Sequence, residues 1–580
     1  DPGAAAEAPV LCADGRSVRM RPMALPSLPV GRWRLWPEDR PDLVCTLVVA
    51  PRTCFRPAAL AGGGRRFGLA AHLYSVRREG DQGIGDFTTL GLLGREAART
   101  GAAVLGLNPL HMLFPADRPR ASPYHPSDRR FLDPIHIDVA GDDGGLAAPA
   151  ARARLAAEAA RLAALRAAPM VDYASVWASK QAVLEAAFAA FDATDPDGAA
   201  LAGFRAYGGT ALAQFAAFQA IAETYPGDWR HWPAGLRAPG APDVRAFAAS
   251  HAARVRFHVW LQWLADRQLA TAAGEAGLEI GFYRDLAVGC APDGAEAWSG
   301  AEALALRASV GAPPDPFSRD GQVWHVPPPD PWRLRADGFA RLAGLFGANM
   351  RHAGALRIDH AMGLTRLFWI PEGGSGADGA YVAYPLAEML GVLALESRRA
   401  RCLVVGEDLG TVPEGFRAQL AAADVLSYRV LWFERDGTAF RPPDQYPAGA
   451  VACVSTHDLP TLAGWRNGAD IEERASLGLL DAEAAEAATA ERAAEKAALA
   501  AAVGGEPTAE AVHGYLAATP SAVVMAQADD LDGETMALNL PGTDRERPNW
   551  RRKIATPVPA LLQTPAARAI IERLRPGRTA

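Results

Sequence analysis

Four acidic residues stand where short apolar runs end: Asp285 in LEIGFYRD, Asp359 in GALRID, Glu407 in CLVVGED and Asp458 in AVACVSTHD. A carboxyl at the end of a strand either caps the next helix or, where strands converge on one rim, is free for chemistry. In ALRIDH, Arg357 and Asp359 are two residues apart, so on a strand both point to one face. A guanidinium beside a carboxylate keeps it ionised and oriented, and His360 adds a hydrogen-bonding group. A fixed, ionised carboxylate suits nucleophilic attack at a sugar carbon; a purely structural Arg–Asp pair is the alternative. Glu407 emerges from an apolar strand, and such a carboxyl near other carboxyls tends to keep its proton, which suits a general acid. Capping by Glu407 or Asp408 is the competing reading. His457 and Asp458 form a further dyad, closed off by Pro460.

Other chemistries fit less well. A His–Asp dyad invites a serine hydrolase, but no G-x-S-x-G elbow occurs. GDQGIGDF (80–87) has the glycines of a phosphate loop, yet Asp81 and Asp86 would repel phosphate and no G-K-[ST] follows. A structural loop is expected there. Neither H-E-x-x-H nor EF-hand spacing appears, so no catalytic metal is expected. Many aromatics sit in Pro-rich, non-helical contexts: Tyr124 in SPYHPSDRR, Trp324 and Trp332 in DPFSRDGQVWHVPPPDPW, and the aromatics of ETYPGDWRHW. Around an acidic rim they could stack on the apolar faces of sugar rings; elsewhere they anchor loops or cores.

The elements that must position these groups are set by periodicity. Eight strand-length apolar runs recur at 67–73, 102–108, 278–285, 354–359, 402–408, 427–434, 450–458 and 521–530, with helix-favouring stretches between most of them. That is the pattern of a (β/α)8 TIM barrel in the α/β class. The gap after the second run is too long for one helix and predicts a mainly helical inserted subdomain over 109–275. A second helical insertion is expected over 460–515, containing a long surface helix at 482–503. Residues 1–60 read as a partial N-terminal β region, and 61–580 as the catalytic barrel with its insertions.

Composition narrows the setting. The chain has 580 residues, with 49% hydrophobic and 22% charged. Such a balance is that of globular proteins with large cores. A net charge of −7, with no dense basic tract, argues against nucleic-acid and membrane partners. Six cysteines without a CxxC pair suggest reduced thiols rather than a disulfide scaffold. No signal-peptide pattern or membrane-length apolar run appears, so a cytoplasmic protein is expected. The first residue is Asp1, which suggests that part of the N-terminal region is missing.

Several motifs together resemble one family. GALRIDHAMGLTRLFWIPEG, VVGEDLGTVP, STHDLPTL, GLNPLHMLFP, SPYHPSDRRF, FYRDLAVG and the closing NLPGT…PNWRRK are similar, in order and over residues 67–556, to bacterial amylomaltases, the 4-α-glucanotransferases (disproportionating enzymes) of the α-amylase superfamily. The resemblance implies a retaining transferase acting through a covalent β-glucosyl intermediate. Asp359 becomes the nucleophile, Glu407 the acid/base and Asp458 the transition-state stabiliser. Arg357, His360, His457, Asp285 and Tyr124 become subsite residues, and Trp324 part of a loop over the bound glucan. Maltodextrins and a glucose acceptor are the implied substrates, with no metal or organic cofactor. The resemblance also implies that no C-terminal β domain follows the barrel. An α-amylase-type hydrolase and a catalytically silent glucan-binding protein are the rival expectations. Two positions depart from the family pattern: His325 stands where Gly usually follows the loop Trp, and His125 where Ser or Gln is usual. The stretch after STHDLPTL also diverges.

Overall fold

The computed structural model of the chain describes residues 9–11, 17–19, 27–195, 198–314, 320–544 and 546–575. Part of the expected 1–60 β region, Cys12, and residues 315–319 of the Pro-rich loop lie outside them.

Each of the eight apolar runs coincides with a strand: β1 (Arg66–Ala71), β2 (Val104–Leu107), β3 (Gly281–Leu286), β4 (Ala355–Ile358), β5 (Leu403–Gly406), β6 (Leu426–Val430), β7 (Ala450–Cys453) and β8 (Val523–Gln527). They close into a barrel in the order β4-β5-β6-β7-β8-β1-β2-β3, every neighbouring pair parallel. Strands buried on both faces need near-continuous apolar sequence, and β2, β4, β5 and β7 are buried throughout. Small residues let the interior close: a Cβ on Gly68 would come within 2.4 Å of Val104 Cγ1 and 2.6 Å of Met525 Sδ.

Helices α1 (Phe87–Thr100), α2 (Tyr173–Thr194), α3 (Ala252–Glu275), α4 (Ala340–Met350), α5 (Leu386–Ala400), α6 (Phe416–Ala422) and α7 (Ala482–Val503) come in chain order. The β6–β7 connection carries only 3-10 turns and a two-residue hairpin, so one barrel connection lacks an α-helix. Between β2 and β3 the chain forms a hairpin (His111–Met112 with Asp128–Leu132) and then mostly helices. The last of these, α3, packs on α1 in the outer layer of the barrel. The 146–169 stretch is two short helices, Pro149–Ala157 and Ala159–Ala167. Ahead of the barrel, Gly31–Leu35 and Cys45–Val49 form an antiparallel hairpin.

The GDQGIGDF loop anchors this architecture. Asp86 caps α1 by accepting from the Thr89 amide. Arg78 Nη2 reaches both Asp86 (3.0 Å) and Asp138 (2.7 Å). Behind them the fully buried Lys180 of α2 donates to the carbonyls of Ile135 and Ile137. The loop is therefore a structural joint, as its acidic residues foretold.

Candidate active site

Strand alternation decides which side chains enter the barrel. Tyr283, Ala355, Leu403, Val405, Val451 and Cys453 share the interior cluster, whereas Leu286, Leu356, Ile358 and Val404 pack outward. Two residues beyond the inward positions lie Asp285, Arg357 and Glu407, and two beyond Arg357 lies Asp359. One period-2 pattern on three adjacent strands thus delivers a guanidinium and three carboxyls to the C-terminal rim, the functional end of such barrels.

Arg357 organises the floor. Its Nη1 donates to both oxygens of Asp285 (2.8 and 3.0 Å) and lies 2.9 Å from Asp359 Oδ1. Arg357 and Asp285 are direct neighbours in the β4–β3 register, and the guanidinium lies over the Tyr428 ring. Glu407 is held by main-chain donors, His360 N to Oε2 (2.9 Å) and Leu409 N to Oε1 (2.8 Å). His360 has φ +46°, and this left-handed turn aims its amide at the carboxyl. Burial pushes the Glu407 carboxyl up; Arg357 opposes and Asp359 reinforces the shift, bringing it to about 7. Neither carboxyl caps the following helix: Asp408 accepts from the Tyr428 amide (3.0 Å), Ser427 Oγ (2.5 Å) and Arg417 Nε (2.9 Å), tying the loop to β6.

A second chain of contacts runs across the cleft. Tyr124 Oη donates to Asp285 Oδ2 (2.7 Å) and lies 3.1 Å from His457 Nδ1, with the two rings stacked at 4.3 Å. Since the phenol proton points to Asp285, His457 Nδ1 must donate to the phenol oxygen. His457 Nε2 lies 3.2 Å from Asp458 Oδ2. Both ring nitrogens therefore carry protons in this arrangement. Burial would lower the His457 pKa, but Asp458 raises it above the ordinary range. Conversely, burial opposes but His457 and Asn539 hold Asp458 at about 2. The Asp458 side chain is 49% exposed.

The residues singled out from the sequence therefore gather at this rim, linked to one another through Arg357, Tyr124, His457 and His360. Trp324 meets His360 edge-on at 5.0 Å, and burial brings the His360 imidazole down to about 4. The other loop aromatics divide: Trp229 and Trp232 are buried core residues, whereas Trp332 is 76% exposed. Sequence reasoning missed Asn539, whose amide donates to Asp458 Oδ1 at 2.7 Å, and His72, which stands edge-on to His457. Asn539 lies within the NLPGT motif, which was the available signal; His72 is the last residue but one of the first apolar run. The two departures from the family pattern touch each other, with His125 Nε2 3.1 Å from the His325 carbonyl.

A cavity of about 60 Å³ lies among Asn108, Tyr124, Asp285, Arg357, His457 and Gln527, a lining rich in partners for hydroxyls. A larger cavity of about 130 Å³ lies behind the strand ends among Leu286, Phe346, Ile358 and Met389 and also touches Asp359 and His360. Its mainly aliphatic walls make it the poorer seat for a sugar.

Carboxyls around a buried guanidinium at the C-terminal rim of a parallel eight-stranded barrel are an arrangement that glycoside-processing enzymes use. Residues 71–558 match the description of glycoside hydrolase family 77, 4-alpha-glucanotransferase, and the chain belongs to that family. It is 39% identical to the 4-alpha-glucanotransferase of Mycobacterium tuberculosis (strain ATCC 25618 / H37Rv) over 94% of this chain and 79% of that protein. It is 34% identical to the one from Haemophilus influenzae over 96% and 85%. The crystal structure of amylomaltase from Corynebacterium glutamicum superposes with a TM-score of 0.85 at 30% identity, covering 97% of this chain and 85% of that one. Among the described residues no helix is long and apolar enough to cross a membrane.

Proposed function

We propose that the chain performs 4-α-glucanotransfer by double displacement, with Asp359 as nucleophile, Glu407 as acid/base and Asp458 as stabiliser of the transition state. The single observation that carries this reading is the strand-end pair. Asp359 and Glu407 extend adjacent parallel strands in register, with Ile358 opposite Gly406. Parallel neighbours lie about 4.8 Å apart, close to the roughly 5–5.5 Å between the two carboxyls of a retaining site. Main-chain bonds from Glu407 N to Ile358 O and from Ala361 N to Glu407 O lock that register past the strand ends.

In the first step Asp359 attacks the anomeric carbon while the Glu407 carboxyl gives its proton to the glycosidic oxygen, and the reducing-end fragment leaves. In the second, the acceptor 4-hydroxyl attacks the same carbon, Glu407 takes its proton, and Asp359 is expelled. Two inversions restore the α linkage. Arg357 orients Asp359, and the Glu407 carboxyl, raised to about 7, supplies a proton near neutrality. Asp458, kept anionic by His457 and Asn539, faces the positive charge that develops on the sugar. Tyr124, Asp285 and His360 offer partners to sugar hydroxyls, and Trp324 offers a ring face at the rim. The substrates are α-1,4-glucans with a glucan or glucose acceptor, and the reading places the enzyme in the cytoplasm.

Incubation with maltotriose tests the reading. Transfer yields glucose and a ladder of longer maltodextrins at constant total reducing ends; a rise in reducing ends without lengthening marks a hydrolase instead. Equal inertness of wild type and Asp359→Asn marks a glucan-binding protein.

A further inference from the structure

Two loops of the rim are joined by a hydrogen bond between residues 125 and 325. The first carries Tyr124 and is pinned by Arg120, whose guanidinium makes a two-pronged bond to Asp293 (2.6 and 3.0 Å) and lies 3.6 Å over the Phe114 ring. The second carries Trp324, whose ring rests against His360 beside Asp359. His125 joins them. Arg120 Nη2 lies 3.3 Å from its Nδ1. A guanidinium can only donate, so Nδ1 is the acceptor of a neutral imidazole. The proton is then on Nε2, which donates to the His325 carbonyl at 3.1 Å. His325 itself has φ +57°. That conformation is unfavourable to a residue with a Cβ, and an outside contact must help to hold it.

We propose that His125 is a positioning residue that latches the Trp324 loop to the Tyr124 loop, and that this latch sets the ratio of transfer to hydrolysis. The inference rests on the reading of the cleft given above. A sugar hydroxyl wins over water only while the rim excludes water and holds the acceptor. Freeing the carbonyl of His325 loosens the loop whose preceding residue, Trp324, covers that rim. The groups facing His125 are Arg120, Asp293 and the His325 ring. A second proton on the imidazole would set an N–H against the Arg120 guanidinium but leave the Nε2–H donor to the His325 carbonyl in place, so the bond between the loops is one that acid does not remove. Burial and Arg120 both hold the His125 pKa below the ordinary value.

His125→Leu removes both polar contacts, whereas His125→Gln keeps them, since its amide N–H can donate to the carbonyl and its amide oxygen can accept from Arg120. With maltotriose and glucose, the Leu variant is expected to raise the hydrolysed share about three- to tenfold, the weight of one hydrogen bond. It should raise the acceptor KM more than it lowers kcat, and the Gln variant should restore both. An unchanged partition in the Leu variant overturns the latch, as does a Gln variant that behaves like Leu. If the Leu variant does not fold, a Gln variant whose partition or acceptor KM departs from the wild type overturns it. Asp359→Asn separates the two levels: activity retained there sinks the reading of the cleft, whereas an inert Asp359→Asn with unchanged His125 variants sinks the latch alone.

Discussion

Two buried clusters of charge lie a few residues from strand ends in this molecule, and only one of them suits chemistry. In the anchor formed by Arg78, Asp86, Asp138 and Lys180, burial raises the Asp86 pKa and brings Lys180 down to about 8. At the rim, burial likewise raises Glu407 to about 7. Displaced titration therefore does not separate the two. Saturation and access do. Asp86 accepts from Thr89 and Arg78, Lys180 donates to two carbonyls, and Asp86 and Lys180 are fully buried. The side chains of Asp359 and Asp458 are 19% and 49% exposed and border the cleft. A catalytic cluster is one that keeps an unfinished side.

The contrast can be broken by substitution. Asp359→Asn is expected to lower maltotriose turnover by about 10⁴-fold or more, with the urea midpoint nearly unchanged because Arg357 keeps Asp285. Loss of folding instead would make the rim structural. Arg78→Met leaves two buried carboxylates without their shared cation and should cost about 3–5 kcal/mol in urea denaturation, while activity per folded molecule stays close to wild type. A selective loss of activity there would erase the distinction.

The smallest effect sharpens the comparison through pH. Folded Glu407 keeps its proton to about 7, against an ordinary value of 4.5. The unfolded chain releases that proton at lower pH, so ionisation favours unfolding. The penalty is absent below pH 4.5, grows between 4.5 and 7, and is complete above 7. It amounts to about 3 kcal/mol. Denaturation of wild type across this window should show the decline, and Glu407→Gln should lack it. The same proton should set an alkaline limb of kcat/KM near pH 7.

Much of this was legible in the sequence because barrel strands buried on both faces leave uninterrupted apolar runs, and because alternation fixes which way the next side chains point. Arg357 and Asp359 share a face by counting alone, and the 482–503 helix is an uninterrupted Ala-rich stretch. What was not legible depends on residues distant in the chain. Asn539 reaches Asp458 from 81 positions away, and nothing local marks it as a partner. The His125–His325 contact spans 200 positions. Trp229 and Trp232 have the Pro-rich setting of Trp324 but fill a core, since local composition does not say which loops border the cleft. The β6–β7 connection lacks its helix although its strands were clear.

Arg357 spreads a single positive charge over two carboxylates on neighbouring strands. Two carboxyls thus share one guanidinium at the floor of the cleft, a surplus of acidic over basic groups, and the His457 ring is matched by Asp458. Water and a neutral glucan chain leave that surplus in place. A flattened sugar bearing positive charge at its anomeric carbon removes it, for the instant it exists. The barrel mouth thus favours a fleeting cation, and ligands should rank by how nearly they reproduce that charge rather than by how much surface they cover.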